Sequence, residues 1–302
     1  MNRQQLSEAL RNYGDVEENV SFQTMTTLKV GGNARYVVYP KDIFSLSAVL
    51  EICSNEKVPC KMLGFGSNIL PSDDEFEGVI IRLNRTFNNL YVDNDEVIVQ
   101  AGYSVISLAY EMMNRSLSGL EFASGIPGTV GGCVYMNAGA YLSSMSDVIE
   151  AVQVIKDGNI VWMENRECCF GYRCSVFQEH PDWIIIAVKL RLKPGQKEEI
   201  KDLMSQRQKR RFASQPLDKP SAGSVFRNPA DHYAWEYVDM IGYRGRRQGG
   251  AMVSPKHSNF IVNEDNATAQ DILTLIEEIQ QKVRTEYNCE MIMEVEKFNW
   301  QN

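Results

Sequence analysis

The stretch Ser124-Gly125-Ile126-Pro127-Gly128-Thr129-Val130-Gly131-Gly132 constrains this chain more than any other. Four glycines and a proline in nine residues suit neither a strand interior nor a helix interior. Side chains are missing where the backbone must approach something closely. Bare N–H groups in such a loop make an anion-binding concavity. A second loop of the same kind, Gly64-Phe65-Gly66-Ser67-Asn68, lies upstream. Two such loops predict a large phosphorylated ligand, such as a dinucleotide cofactor.

The common dinucleotide fold does not fit. Gly64-Phe65-Gly66 follows the predicted strand 60–63, yet Ile69 holds the third glycine position, and Pro71-Ser72-Asp73-Asp74 follows where a helix should begin. The 124–132 loop continues into Met136-Asn137-Ala138-Gly139-Ala140-Tyr141. Two small-residue segments so close together suit a backbone that wraps a planar ring and a pyrophosphate.

A chain of 302 residues has room for two or three domains. Its net charge of −8 argues against general nucleic-acid affinity while leaving room for a local basic pocket. The longest strongly apolar run, Trp183-Ile184-Ile185-Ile186-Ala187-Val188, is far shorter than the ~20 residues that span a bilayer. The first residues have no apolar signal core, so a cytoplasmic location without membrane association is expected. Seven cysteines form no CxxC pair, and three histidines (180, 232, 257) are scattered. Reduced thiols and no metal are expected.

Periodicity predicts helices over 2–13, over 42–56, after a Ser104 cap, and over 196–212. Two more are predicted near 231–241 and after the capping box Thr268-Ala269-Gln270-Asp271. Strands are predicted at 60–63, 78–83, 97–101, 149–155, 159–163 and 183–192. A last strand over 291–297 alternates, with Met291, Met293 and Val295 on one face and Ile292, Glu294 and Glu296 on the other. The interleaving predicts an α+β fold with more than one sheet. A proline-bearing break at 215–220 marks a domain boundary.

Six segments now carry a resemblance. They are Thr26-Thr27-Leu28-Lys29-Val30-Gly31-Gly32, Gly64 to Leu70, the 124–132 loop with Asn137-Ala138-Gly139-Ala140, Gly171-Tyr172-Arg173-Cys174-Ser175-Val176-Phe177, Ala222-Gly223-Ser224-Val225-Phe226-Arg227-Asn228-Pro229, and Glu294-Val295. In this order they resemble the UDP-N-acetylenolpyruvoylglucosamine reductase (UDP-N-acetylmuramate dehydrogenase) family. The resemblance runs from about residue 20 to 296. It implies an FAD-binding fold of the vanillyl-alcohol-oxidase type in two subdomains, 1–85 and 86–213, and a C-terminal α+β substrate-binding domain, 214–302. It also implies non-covalent FAD, NADPH as reductant, and UDP-N-acetylglucosamine enolpyruvate as substrate, in peptidoglycan precursor synthesis. A monomer is expected.

The implied reaction saturates an enolpyruvyl ether: a hydride reaches C3 and C2 must receive a proton. That step needs charge stabilisation and a positioned acid. Ser224 matches the family's proton donor, and Arg173 and Glu294 its other active-site positions. Outside these motifs each would read as a turn serine, a surface arginine and an edge-strand carboxylate. Within them, Arg173 can fork onto the substrate carboxylate and the developing enolate oxygen. Ile292 beside Glu294 suggests a partly buried face, and a buried carboxylate needs a partner, for which Arg173 is the candidate. Cofactor contacts are expected at Gly64, Phe65, Gly66, Ser67, Asn68, Ser124, Gly125, Pro127, Gly128, Thr129, Gly132, Asn137, Ala138 and Gly139. Substrate contacts are expected at Asn228, Lys256 and His257, with Lys209-Arg210-Arg211 a further basic cluster. Some members insert a tyrosine-bearing segment after the arginine motif. Here Phe177 is followed at once by Gln178-Glu179-His180-Pro181-Asp182, as in the shorter, type II form. The competing reading is a flavin oxidase of the same fold, acting on an alcohol or sugar, with Cys133 near the loop as a possible covalent anchor. A flavin- or nucleotide-binding module without catalysis is a third.

Overall fold

A computed structural model describes residues 1–300, in two compact units. One comprises 1–18, 36–65 and 77–209; the other comprises 19–35, 66–76 and the described residues from 210 on.

The first unit opens with the helix Arg3–Arg11, where the Asn2 side chain accepts from Gln5 N–H and Gln5 answers in kind. Leu6 and Leu10 face inward. The helix Ile43–Asn55 starts on an Asp42 cap, with Ser45 N–H donating to its carboxylate at 2.8 Å. A four-stranded sheet has the order Gly14–Ser21, Asn33–Pro40, Phe76–Ile81, Cys60–Met62. Its last pair is parallel, with Cys60 opposite Val79. A five-stranded sheet, antiparallel throughout, has the order Asn159–Glu164, Ile149–Lys156, Ile184–Arg191, Glu96–Gln100, Leu90–Asp93. Its central strand Ile184–Arg191 is the apolar run of the sequence, buried along most of its length. The helices Val105–Asn114 and Val130–Tyr135 share its core, with Val105, Leu108, Met112, Val130 and Val134 buried among the strand residues Val99, Val152 and Val188.

In the second unit the helix Ala269–Tyr287 buries Ile272, Leu275, Ile276, Ile279 and Val283. It packs on a three-stranded antiparallel sheet, Arg247–Gln248, Ala251–Val253, Ile261–Asn263. Leu28, Val30 and Leu70, far away in sequence, complete this core. The strand Glu296–Phe298 runs parallel to Ile69–Pro71. The helix Lys197–Ser214 carries the chain from one unit to the other.

The α+β class with several sheets is as expected. Three local expectations change. The helix near 231–241 spans only Ala234–Met240. The strand expected over 291–297 is regular only at 296–298. Residues 291–295 instead run beside 225–227, where Arg227 N–H donates to Ile292 C=O at 2.9 Å and Glu294 N–H to Val225 C=O at 2.8 Å. Alternation survives there without a ladder: Met291 and Val295 are buried, while Ile292 is 55% exposed. The face shared by Ile292 and Glu294 is therefore less covered than expected. Among the described residues no helix is long and apolar enough to cross a membrane, and no cluster of three metal-ligating side chains occurs.

Candidate active site

In the first unit the two glycine-rich loops meet. A Cβ added at Gly64 would stand 2.6 Å from Thr129 Oγ1, and one at Gly128 would stand 2.8 Å from Cys133 Sγ. Gly131 lies equally tight against Ala101, 2.9 Å from its Cβ. These glycines are required because chain packs directly on chain.

The 124–132 segment differs from a row of bare N–H groups. Residues 121–125 form a 3₁₀ turn, and Thr129 then caps the short helix Val130–Tyr135, accepting from Gly132 N–H at 3.3 Å. Val130 and Gly131 N–H donate to the carbonyls of Tyr103 and Ala101, both at 2.8 Å. Gly128 N–H donates to Ile126 C=O. Ser124 and Thr129 are buried, and the Ser124 hydroxyl donates to Glu121 C=O. Most donors of this loop are therefore spent on structure. The upstream loop is the open one: the N–H groups of Gly64 and Phe65 donate to nothing among the described residues of this unit. Arg82 holds the Gly64 carbonyl at 3.0 Å, and its Nε is buried without a partner. A guanidinium with an unmet buried donor, beside unpaired N–H groups, fits an anionic group such as a pyrophosphate.

The downstream glycine segment is tied to the arginine motif. Asn137, buried, donates to Gly171 C=O at 2.8 Å and accepts from Ser146 N–H at 2.9 Å. Arg173 donates to Gly139 C=O at 2.7 Å. Gly171 and Cys174 close the turn that presents Arg173, whose φ of 56° is left-handed. Gln178 fastens the turn from behind, donating to the carbonyls of Arg173 and Tyr135 at 3.1 and 3.0 Å. Ser175 adds a 2.6 Å bond to Tyr135 C=O. Cys133, 3% exposed, has its thiol pushed up to about 12 by burial. A buried neutral thiol is a poor nucleophile, so it does not suit covalent attachment of a flavin.

In the second unit Ser224 follows Gly223, whose φ of +79° demands glycine. Asn259, 4% exposed, clamps the chain just beyond: it accepts from Phe226 N–H at 3.0 Å and donates to Phe226 C=O at 2.9 Å. Its own carbonyl accepts from Val225 N–H at 2.8 Å. Glu294 is fixed through its backbone, to Val225 on one side and to the Asn68 side-chain amide at 3.0 Å on the other. Glu296 N–H returns a bond to Asn68 C=O. The N–H groups of Gly66, Ser67 and Asn68 donate to nothing among the described residues of this unit. Ser224 and Glu294 thus issue from adjacent segments joined by backbone hydrogen bonds.

The expected substrate residues are less uniform. The Asn228 carbonyl oxygen accepts from Ala234 N–H at 3.0 Å, at the start of a helix. Lys256 is exposed, and its ammonium donates to Phe212 C=O. His257 follows on the hairpin between two strands, with a buried Nδ1 that lacks a partner. Burial, then the nearby Arg244 guanidinium, hold its pKa below the ordinary 6.5. Sequence reasoning missed Arg82, Gln178 and Asn259. Arg82 ends an apolar strand like any edge cation, Gln178 lies in a polar run, and Asn259 sits in a turn where asparagine is ordinary.

Residues 34–164 match the FAD binding domain family, and residues 215–298 the family described as UDP-N-acetylenolpyruvoylglucosamine reductase, C-terminal domain. The chain is 43% identical over 295 residues to the UDP-N-acetylenolpyruvoylglucosamine reductase of Anoxybacillus flavithermus, covering 97% of each. It is 42% identical to that of Thermotoga petrophila, over 90% of this chain and 94% of the relative. The crystal structure of the reductase from Thermus caldophilus superposes with a TM-score of 0.81 at 36% identity, covering 95% of this chain and all of that one.

Proposed function

This chain belongs to the UDP-N-acetylenolpyruvoylglucosamine reductase family, and from that premise we propose how its own residues serve the reaction. It is an FAD-dependent oxidoreductase that reduces UDP-N-acetylglucosamine enolpyruvate to UDP-N-acetylmuramate with NADPH, in peptidoglycan precursor synthesis. The observation that carries the reading is the meeting of the Gly64 and Thr129 loops beside the half-satisfied Arg82.

FAD would be held by the loop at 64–68, the capped turn at 124–132 and the segment 137–139, with Arg82 near its phosphates. When bound, it supplies the hydride chemistry between NADPH and the enolpyruvyl carbon. Arg173 serves the substrate carboxylate and the oxygen that gains charge as C3 is reduced. Its guanidinium donates to Gly139 C=O, which sets the position of the planar fork. Ser224 holds the proton destined for C2. A serine hydroxyl is a weak acid, so it works only if held on the carbon; Gly223, Asn259 and the 291–295 segment supply that rigidity. Glu294 is the carboxylate beside the acid, bonded through its backbone to the residue that follows Ser224. Asn228, Lys256 and His257 serve the nucleotide sugar, Lys256 as a charged donor that keeps two N–H bonds to offer.

The FAD-binding parts span 1–85 and 86–213 and the substrate part 214–302; the matches at 34–164 and 215–298 support this division. A monomer in the cytoplasm, contributing through the cell wall to cell shape and division, completes the reading. The test is direct. The purified protein should be yellow with flavin absorbance, release free FAD on acid denaturation, and oxidise NADPH when the enolpyruvyl substrate is added. Flavin reduction by an alcohol or sugar in place of NADPH, with no reoxidation by the enolpyruvyl substrate, would favour the oxidase alternative.

A further inference from the structure

Lys256 and His257 stand side by side on the turn that joins the strands Ala251–Val253 and Ile261–Asn263. The Ser254 hydroxyl, on a residue 1% exposed, accepts from Lys256 N–H at 3.2 Å and from His257 N–H at 3.4 Å. Phe260 N–H donates to His257 C=O at 2.9 Å, and Ser254 N–H to Phe260 C=O at 2.8 Å. These bonds are internal to the turn. They give it a shape without setting its position against the rest of the fold.

Arg244 supplies that second constraint. Its guanidinium grips the residues on either side of Lys256-His257, donating to Pro255 C=O at 2.7 Å and to Ser258 Oγ at 3.4 Å. The same guanidinium forks onto Asp239: Nε donates to one carboxylate oxygen at 2.9 Å and Nη2 to the other. Asp239 belongs to the last turn of the helix Ala234–Met240. Ser258 ties back to that helix as well, donating to Trp235 C=O at 3.0 Å.

We propose that Arg244, anchored by Asp239, is a positioning residue for the nucleotide sugar, acting through Lys256 and His257; this rests on the reading of those two residues given above. The side chains of Arg244 and Asp239 are 40% and 29% exposed, and an ion pair so open to water contributes little to stability. Its contribution is geometric. Lysine is a point charge on a flexible four-carbon stem, so it meets a phosphate at a fixed place only when its backbone is fixed. A planar fork with five donors can reach a carboxylate and two separate turn residues at once, which an ammonium cannot do in the same geometry. The Asp239 carboxylate also balances the guanidinium charge, so Arg244 holds the turn while Lys256 faces the phosphates.

The test uses FAD-loaded enzyme. Arg244→Gln should weaken UDP binding in calorimetry and raise KM for the enolpyruvyl substrate about tenfold each, the equivalent of about one charge-assisted bond. Because that binding is remote from the reacting carbons, kcat should change by no more than about twofold. Asp239→Asn should move KM in the same direction, and Arg244→Lys should lie between wild type and Arg244→Gln. When Lys256→Ala and His257→Ala are already present, Arg244→Gln should add less than about twofold, since its route to the substrate is gone. Unfolding midpoint and flavin content of each sample identify any variant that has failed to fold; Asp239→Asn and Arg244→Lys then carry the test. Wild-type KM in folded Arg244→Gln or Asp239→Asn would overturn the proposal. So would an undiminished effect of Arg244→Gln in the protein lacking both side chains. Wild-type KM with Lys256→Ala and His257→Ala together would instead remove the turn from the substrate site, and the proposal with it.

Discussion

Gly64 and Thr129 are in direct contact: a Cβ on Gly64 would stand 2.6 Å from Thr129 Oγ1, closer than real Cβ contacts allow. That oxygen also caps the helix Val130–Tyr135 through Gly132 N–H. One hydroxyl therefore sets both the spacing of two loops and the start of the helix that follows.

Gly64→Ala should push Thr129 off its cap, destabilising the protein by about 1–3 kcal/mol and lowering bound FAD. Adding Thr129→Ala removes the clashing oxygen and should restore part of both losses, even though the cap is then gone. Thermal unfolding with flavin content on the same samples checks this. Equal losses in the single and double variants would show that Thr129 is not what Gly64 must avoid.

Arg173→Lys keeps a charge but loses the planar fork. With Gly139 C=O no longer met by a guanidinium, kcat should fall about 10²–10³-fold, the range for removing one preorganised donor. FAD content should stay near wild type. Steady-state kinetics on flavin-loaded enzyme separates the two readouts.

Asn259→Ala would leave the buried N–H and C=O of Phe226 unpaired, at about 1–3 kcal/mol for each group. Because Phe226 lies two residues beyond Ser224, turnover should drop more than the change in substrate KM would suggest. Asn259→Asp keeps the acceptor for Phe226 N–H and should lie between. Unfolding midpoints and kinetics on all three proteins test the order.

His257 yields a pH prediction. Its folded pKa is depressed below 6.5 by burial and by Arg244, against a smaller opposing pull from Asp239. The unfolded state then binds more protons just below 6.5, so stability rises with pH in that window. The contribution is complete above 6.5 and is lost as pH falls through the folded pKa. His257→Asn should flatten this acid-side slope of unfolding midpoint against pH, and an unchanged slope would remove His257 as its source.

Much of the fold was legible in the chain. Ile272, Leu275, Ile276, Ile279 and Val283 fall at helical spacing behind a capping box, and Asp42 and Ser104 announce two more helices. The strand Asn33–Pro40 was hidden because it is buried on both faces and so lacks alternation. The helix Val130–Tyr135 was hidden by its two glycines; only Thr129 marks it. The loop motifs predict a phosphorylated ligand, but not that 124–132 spends its N–H groups internally while 64–68 keeps them. That difference depends on Tyr103 and Ala101, partners with no mark in the sequence. Gln178 and Asn259 escaped for the same reason: their roles lie in backbone carbonyls and amides far away along the chain.

Ser224 is the proposed proton donor, and one experiment isolates that step. Ser224→Ala, loaded with FAD, is mixed first with NADPH and then, once reduced, with UDP-N-acetylglucosamine enolpyruvate, while flavin absorbance is followed in each half-reaction. Flavin reduction should proceed at the wild-type rate and reoxidation by substrate should slow at least about 10²-fold, the lower range for losing a positioned acid. Wild-type rates in both half-reactions would contradict it.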